Sequence, residues 1–135
     1  NDIEFSLEDM LRFEGETGPY VQYTYARACS ILRKGNWQAE LFSGSFQPSW
    51  EKEWKIVSLL LEFPNAIKRA CENFDPSQVA KYVVDLAQAF NKYYGDVKIL
   101  EENVEQQARL ALVYSVTEVL LEGLRLLGLE APAEM

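Results

Sequence analysis

Residues 110–127 read LALVYSVTEVLLEGLRLL, with apolar side chains recurring at intervals of three and four. One apolar stripe consists of Leu110, Val113, Thr117, Leu120, Leu124 and Leu127, and a second of Leu112, Val116, Val119 and Leu126. The remaining polar strip consists of Tyr114, Glu118, Glu122 and Arg125. A helix that is apolar over most of its surface is typical of the centre of a bundle. The pattern therefore predicts a central helix, which Gly128 should end.

Two further helices have clear boundary signals. Asp75 followed by Pro76 is a start signal, a capping carboxylate before a proline in the first turn, and Gly95 should end that helix. Pro19 suits a first helical position, because its missing N–H would have no partner there. The helix that begins at Pro19 should run to about Lys34 and stop at Gly35.

The remaining segments are shorter. A helix from Ser6 to about Phe13 is expected, then a turn over residues 14–18 and a loop over residues 35–49. Ser49 could cap a helix that carries Trp50, Trp54, Val57 and Leu61 at helical spacing, with Pro64 ending it or starting another short helix. No alternating strand pattern of useful length is present. The sequence predicts one all-α domain over residues 1–135, a helical bundle of about five to six helices.

Composition narrows the classes of function. The chain has a formal net charge of −8 and no histidine. The missing histidine removes most general-base schemes, the serine and cysteine triads and most zinc sites, so we expect no catalytic residue and no metal site here. Cys29 and Cys71 stand alone and fit buried thiols in a reducing cytoplasm. No apolar run is long enough to cross a bilayer.

One helical face has the composition of a ligand site. Val21, Tyr25, Ala28 and Leu32 recur as a core stripe. Tyr20, Tyr23 and Arg27 recur about a hundred degrees away, on one side of the first two turns. Two rings and a guanidinium could stack a single-stranded base and hold a phosphate or base edge. Spacing alone favours half-buried tyrosines and a surface arginine, because aromatic positions on helices are usually packing positions.

Three stretches of the chain carry a family resemblance. Residues 14–30, EGETGPYVQYTYARACS, resemble the opening of the C-terminal anticodon-binding (DALR-type) domain of arginyl-tRNA synthetase. Residues 85–94, DLAQAFNKYY, resemble that family's middle helix, and residues 109–113 and 123–132, with Met135, resemble its last helix and tail. The chain departs from the family at Tyr25 and Gly95, where histidine is common, and at Ala133, where a charged residue is frequent.

The resemblance implies a function and a site. A class I synthetase joins arginine to its tRNA with ATP, and this domain would grip the anticodon loop of tRNA-Arg. The family's pocket maps onto Tyr20, Tyr23, Arg27, Tyr94 and Met135, and Asn91, one turn before Tyr94, is expected to share it.

The resemblance also implies what lies elsewhere. The His-x-Gly-His and Lys-Met-Ser-Lys-Ser signatures of the family are missing, so the chain would be a non-catalytic fragment of a longer chain. ATP and arginine would bind the catalytic domain of that longer chain, which would be a second partner of this domain. Neither DNA nor a membrane is implied as a partner.

Three alternatives stay open. An acidic helical module could use exposed tyrosines to bind another protein, and its charge fits that role better than RNA binding. The chain could be the anticodon domain of a different class I synthetase. An independent small enzyme would need a catalytic group that the sequence does not offer.

Overall fold

A computed structural model describes residues 7–8, 10–41 and 51–135 of the chain. Four long helices, here numbered in chain order, are α1 (Gly18–Lys34), α2 (Glu51–Asn73), α3 (Ser77–Asp96) and α4 (Gln106–Leu126). A π-helical turn, Phe13–Thr17, leads into α1, and a 3₁₀ turn, Ala39–Leu41, follows it. The described ranges contain no strand. The all-α prediction is therefore confirmed, with four long helices where five to six were expected.

Pro64 lies inside α2 and does not end it. A proline in a helix removes the hydrogen bond to the carbonyl four residues earlier, here that of Leu60. Ile56 and Ala66, one on each side of Pro64, are both buried. Burying apolar side chains on both sides of the proline favours one continuous helix, and this accounts for one of the missing helices.

The predicted turn over residues 14–18 was also wrong. The chain there is helical, and the N–H of Gly18 bonds to the carbonyl of Phe13, which is π-helical spacing. The Phe13 side chain is only 3% exposed. The wider turn therefore places Phe13 in the core while the chain continues into α1. The segment before α1 and α1 itself are therefore not separated by a break.

Most helix boundaries were predicted correctly. The N–H of Gly35 closes α1 on the carbonyl of Ile31 at 2.9 Å. The Asp75 carboxylate accepts the backbone N–H of Ser77 at 3.1 Å, which satisfies a free donor at the start of α3. Gly128 follows α4 with a positive φ of 76°, a conformation that glycine adopts without strain. Helix α3 ends at Asp96, one residue beyond the predicted Gly95.

Helix α4 packs against the other three long helices, as α3 also does, and ten of its residues are buried. Of its predicted apolar residues the structure buries Leu110, Leu112, Val113, Val116, Thr117, Leu120 and Leu124. Leu126 is an exception and is about half exposed. Gly123 lets α4 approach α3 closely, because a Cβ there would lie 2.4 Å from Cγ1 of Val83.

Among the described residues of the stripe predicted on α2, only Val57 packs against the core. Trp54 and Leu61 are exposed, and Trp50 lies outside the described residues. Helix α2 turns Glu53 inward, where its Oε2 accepts a hydrogen bond of 2.6 Å from the hydroxyl of Tyr93 and lies 3.6 Å from Nε of Arg109. A buried carboxylate needs such partners, and Glu53 lies on the inward side of α2 together with Ile56 and Ala66.

The two cysteines differ in exposure. Cys29 is half-buried and Cys71 is exposed, and neither forms a disulfide. The prediction that both are buried was therefore wrong for Cys71, which lies in the last turn of α2. Among the helices of the described ranges, none has the length and apolar character to cross a membrane.

Candidate nucleic-acid interface

The first turns of α1 place Tyr20 and Tyr23 on an outward side of the bundle. Val21 and Thr24 on the same helix are fully buried, and this fixes how α1 is rotated. Tyr20 and Tyr23 are consequently 38% and 49% exposed. Both tyrosines fit the half-buried packing expected from spacing alone, and both leave part of their surface accessible.

Asn91 on α3 connects these residues to one another. Its Oδ1 accepts a hydrogen bond of 2.9 Å from Nη1 of Arg27. Its Nδ2 donates to the hydroxyl of Tyr20 and to Oγ1 of Thr24, both at 2.9 Å. Because a guanidinium can only donate, the amide oxygen has to face Arg27. Both ends of the Asn91 amide therefore contact protein atoms, and these three bonds link Arg27, Tyr20 and Thr24 to α3.

The guanidinium of Arg27 lies between two tyrosine rings. Its Cζ is 4.6 Å from the ring centroid of Tyr94 and 5.2 Å from that of Tyr23. Both distances are within the range of a cation–π contact. Tyr94, near the end of α3, is 45% exposed. The two rings thus stabilise the cation and still offer accessible aromatic surface to a base.

A cavity of about 410 Å³ opens beside this cluster. Its lining consists of Tyr23, Ala26, Arg27, Ser30, Ile31, Arg33, Lys34, Tyr94, Glu134 and Met135. The volume falls in the range of small-ligand sites, and the lining combines aromatic surface with cationic groups. Of the six predicted site residues, four line the cavity. Tyr20 and Asn91 do not line it: Asn91 is bonded to the lining residue Arg27, and Tyr20 is bonded to Asn91.

The local charge at the cavity is opposite to that of the whole chain. Arg27, Arg33 and Lys34 line it together with one carboxylate side chain, that of Glu134. The chain as a whole carries a net charge of −8. Because salt screens charges beyond about 10 Å, an anion at the cavity responds mainly to the nearby cations. The acidic total therefore does not exclude a polyanion at this surface.

Sequence reasoning missed the part played by Thr24. Its hydroxyl donates to the carbonyl of Tyr20 at 2.9 Å and accepts from Asn91. The signal was available, because Thr24 lies four residues after Tyr20 and on the same side of α1. A threonine among apolar core positions needs a hydrogen-bond partner, and here the partner belongs to the site.

A second polar cluster contributes to packing. Burial raises the pKa of Tyr93 well above its ordinary value, and the adjacent Glu53 raises it further. Tyr93 therefore stays neutral and donates to the Glu53 carboxylate. Because Glu53 contacts both Tyr93 and Arg109, this cluster ties α2, α3 and α4 together, and Arg109 also bonds Glu105 at 2.8 Å. Within the described ranges, no group of three or more acidic or cysteine side chains is arranged to hold a metal ion.

Known proteins match this chain over most or all of its length. The profile of the DALR anticodon binding domain matches residues 21–135. An arginine–tRNA ligase of Bacillus thuringiensis is 62% identical over all 135 residues, and one of an Exiguobacterium species is 59% identical over the same length. The chain spans 24% of the length of each of these relatives. The arginyl-tRNA synthetase of Thermus thermophilus superimposes over 91% of this chain and 22% of its own, with a TM-score of 0.76 and 37% identity.

Proposed function

Because this chain belongs to the DALR anticodon binding domain family, we propose that it recognises the anticodon loop of tRNA-Arg within an arginine–tRNA ligase. The ligation of arginine to the tRNA, with ATP, would take place in a part of the protein outside these residues. ATP and arginine would bind there, and that catalytic part would be the second partner of this domain. Two cysteines without a disulfide are compatible with a protein of the reducing cytoplasm.

The observation that carries the proposal is the position of Arg27 between the exposed rings of Tyr23 and Tyr94. Single-stranded RNA is recognised by stacking its bases on aromatic or guanidinium planes and by hydrogen bonds to the base edges. This cluster offers both kinds of surface beside one cavity. Met135, which is 68% exposed, adds a flexible apolar side chain at the cavity edge.

The relatives support the choice of tRNA. The two bacterial relatives named above are arginine–tRNA ligases by name, and the identity extends over the whole of this chain. A protein-interaction module would also have exposed tyrosines. It would not need an arginine whose guanidinium is oriented near two rings by the amide of a partly buried asparagine.

The test is binding of the full-length protein to tRNA-Arg and to tRNA-Arg with each anticodon base substituted in turn. Fluorescence anisotropy at low and moderate salt measures the dissociation constants. We expect at least one substitution to weaken binding by roughly tenfold or more, the cost of one lost stacked or hydrogen-bonded base. Equal affinity for all the tRNAs would contradict anticodon recognition and would favour a protein partner.

A residue-level readout complements the affinities. Chemical-shift perturbation by an anticodon stem-loop should be largest at Tyr20, Tyr23, Arg27, Tyr94 and Met135. A loop with altered anticodon bases should cause smaller shifts at the same residues. Shifts confined to other surfaces would contradict the proposed site.

A further inference from the structure

The segment that follows α4, residues 129–135, lies along α1 and reaches the cavity. We call it the tail. Leu129 packs against the start of α1, where a Cβ on Gly18 would lie 3.2 Å from the Leu129 Cδ1. Met135, at the other end of the tail, lines the cavity together with Arg27. The tail therefore runs in the same direction as α1, from its first turn towards the site.

Two side chains of α1 hold the tail by its backbone. Nε2 of Gln22 donates to the carbonyl of Glu130 at 2.8 Å. Nη1 of Arg33 donates to the carbonyl of Ala133 at 3.2 Å. Gln22 and Arg33 are eleven residues apart, about three helical turns, so they project from the same side of α1. Both bonds use main-chain acceptors, so their geometry depends on the path of the tail and not on its side chains.

We propose that Gln22 and Arg33 are positioning residues that seat the tail on α1 and so place Met135 at the edge of the cavity for RNA. This inference rests on the proposed anticodon function and adds a role for two residues outside the aromatic cluster. A segment without helical hydrogen bonds of its own is ordered by contacts of this kind, here together with the packing of Leu129 and Ala131 against the core. Seating the tail before RNA arrives removes the entropic cost of ordering Met135 during binding.

Gln22 is the better position for a test, because it does not line the cavity, whereas Arg33 does. Gln22→Met keeps the length of the side chain and removes the donor to the Glu130 carbonyl. Gln88→Met, at an exposed glutamine on α3 that is outside the RNA cavity, is the matched control. Gln22→Met and Met135→Ala are made singly and together in the full-length protein.

The first readout needs no RNA. The ¹³C-methyl signal of Met135, assigned by its absence from Met135→Ala, is recorded for the wild type, Gln22→Met and Gln88→Met. We expect Gln22→Met to move and sharpen this signal towards that of an unstructured methionine, and Gln88→Met to leave it in place. An unchanged signal in Gln22→Met would overturn the proposal.

The second readout is the dissociation constant for tRNA-Arg. Gln22→Met should weaken binding about three- to tenfold, as expected for the loss of one hydrogen bond. In the Met135→Ala background it should have no further effect, because both changes remove the same contact. Equal losses in both backgrounds, or unchanged binding by Met135→Ala, would overturn the proposal. If the wild type does not distinguish anticodons while the methyl signal still moves, the anticodon function fails and the seating of the tail stands.

Discussion

Arg27 and Asn91 join α1 to α3 through a hydrogen bond of 2.9 Å between Nη1 and Oδ1. The same amide donates to Tyr20 and Thr24, so the orientation of the guanidinium is set by a residue that is itself held at both ends. Preorganisation of this kind lowers the entropic cost of binding, because the cation does not have to be ordered when a base arrives. The Asn91 amide on α3 therefore joins the aromatic cluster of α1 to α3.

Replacing Arg27 with lysine should weaken tRNA-Arg binding about tenfold or more, although the charge is kept. A lysine ammonium lacks the planar fork with which Arg27 donates to Asn91 while its Cζ lies near the rings of Tyr23 and Tyr94. Fluorescence anisotropy with the full-length protein measures the loss. The matched control is Arg69→Lys on the exposed side of α2, away from the cavity. Equal affinities of wild type and Arg27→Lys would mean that only the charge matters.

Replacing Tyr23 with alanine should cost about 1–3 kcal/mol of binding free energy, the range for a lost base stack. The stability of the fold should change little, because the Tyr23 ring is about half exposed. Tyr114→Ala is the control, since Tyr114 is also exposed and packs on Trp37, with ring centroids 5.9 Å apart, outside the cavity. A folded Tyr23→Ala variant with wild-type affinity would remove Tyr23 from the site.

The fold was predictable where apolar periodicity and capping residues agreed. The stripes of α4, the stop at Gly35 and the start at Asp75 depend on neighbours within a few residues. Pro64 and Trp54 were misjudged because their environments depend on distant parts of the chain. The buried contacts of Ile56 and Ala66 outweigh the preference of Pro64 to end a helix, and the Glu53 partners on α3 and α4 rotate Trp54 outward.

For the candidate site, too, the sequence predicts the arrangement of residues within one helix but not the contacts between distant residues. Helical spacing places Tyr20, Tyr23 and Arg27 on one side of α1, and the family resemblance brought in Tyr94 and Met135. Spacing within one helix could not supply the bond from Arg27 to Asn91, which are 64 residues apart. The contact of Gln22 with the tail spans 108 residues and was missed for the same reason.

Stability should fall as pH rises above about 10, and Tyr82→Phe should reduce that fall. Burial raises the pKa of Tyr82, and the nearby charge of Glu62 raises it further. Burial, together with a hydrogen bond to Cys29, raises the pKa of Tyr25 to about 12. Above pH 10 an unfolded tyrosine loses its proton while the folded one keeps it, so the native state binds more protons. The stabilisation is complete below pH 10 and is lost as pH rises towards the folded pKa, by up to about 1.4 kcal/mol per pH unit for the buried Tyr82 and by less for the partly buried Tyr25.

Urea unfolding between pH 8 and pH 11.5 measures this effect. Near neutral pH, Tyr82→Phe should be less stable than the wild type, because it loses the hydrogen bond to the Leu59 carbonyl. The difference should shrink as pH rises, because phenylalanine has no proton to lose. Parallel curves over the whole range would show that Tyr82 does not hold its proton in the folded state.

Replacing Gly123 with alanine should destabilise the bundle by about 1–3 kcal/mol, as expected for an overpacked core. The added Cβ would lie 2.4 Å from Cγ1 of Val83, so α3 and α4 would have to move apart. Gly95→Ala is the matched control, because no atom lies within 4 Å of its Cβ position, and alanine there should be neutral or stabilising by up to about 1 kcal/mol. Adding Val83→Ala to Gly123→Ala should cost less than the two single changes together, since the smaller side chain makes room. Urea unfolding of the four variants measures the coupling, and strictly additive losses would contradict a direct contact between α3 and α4 at Gly123.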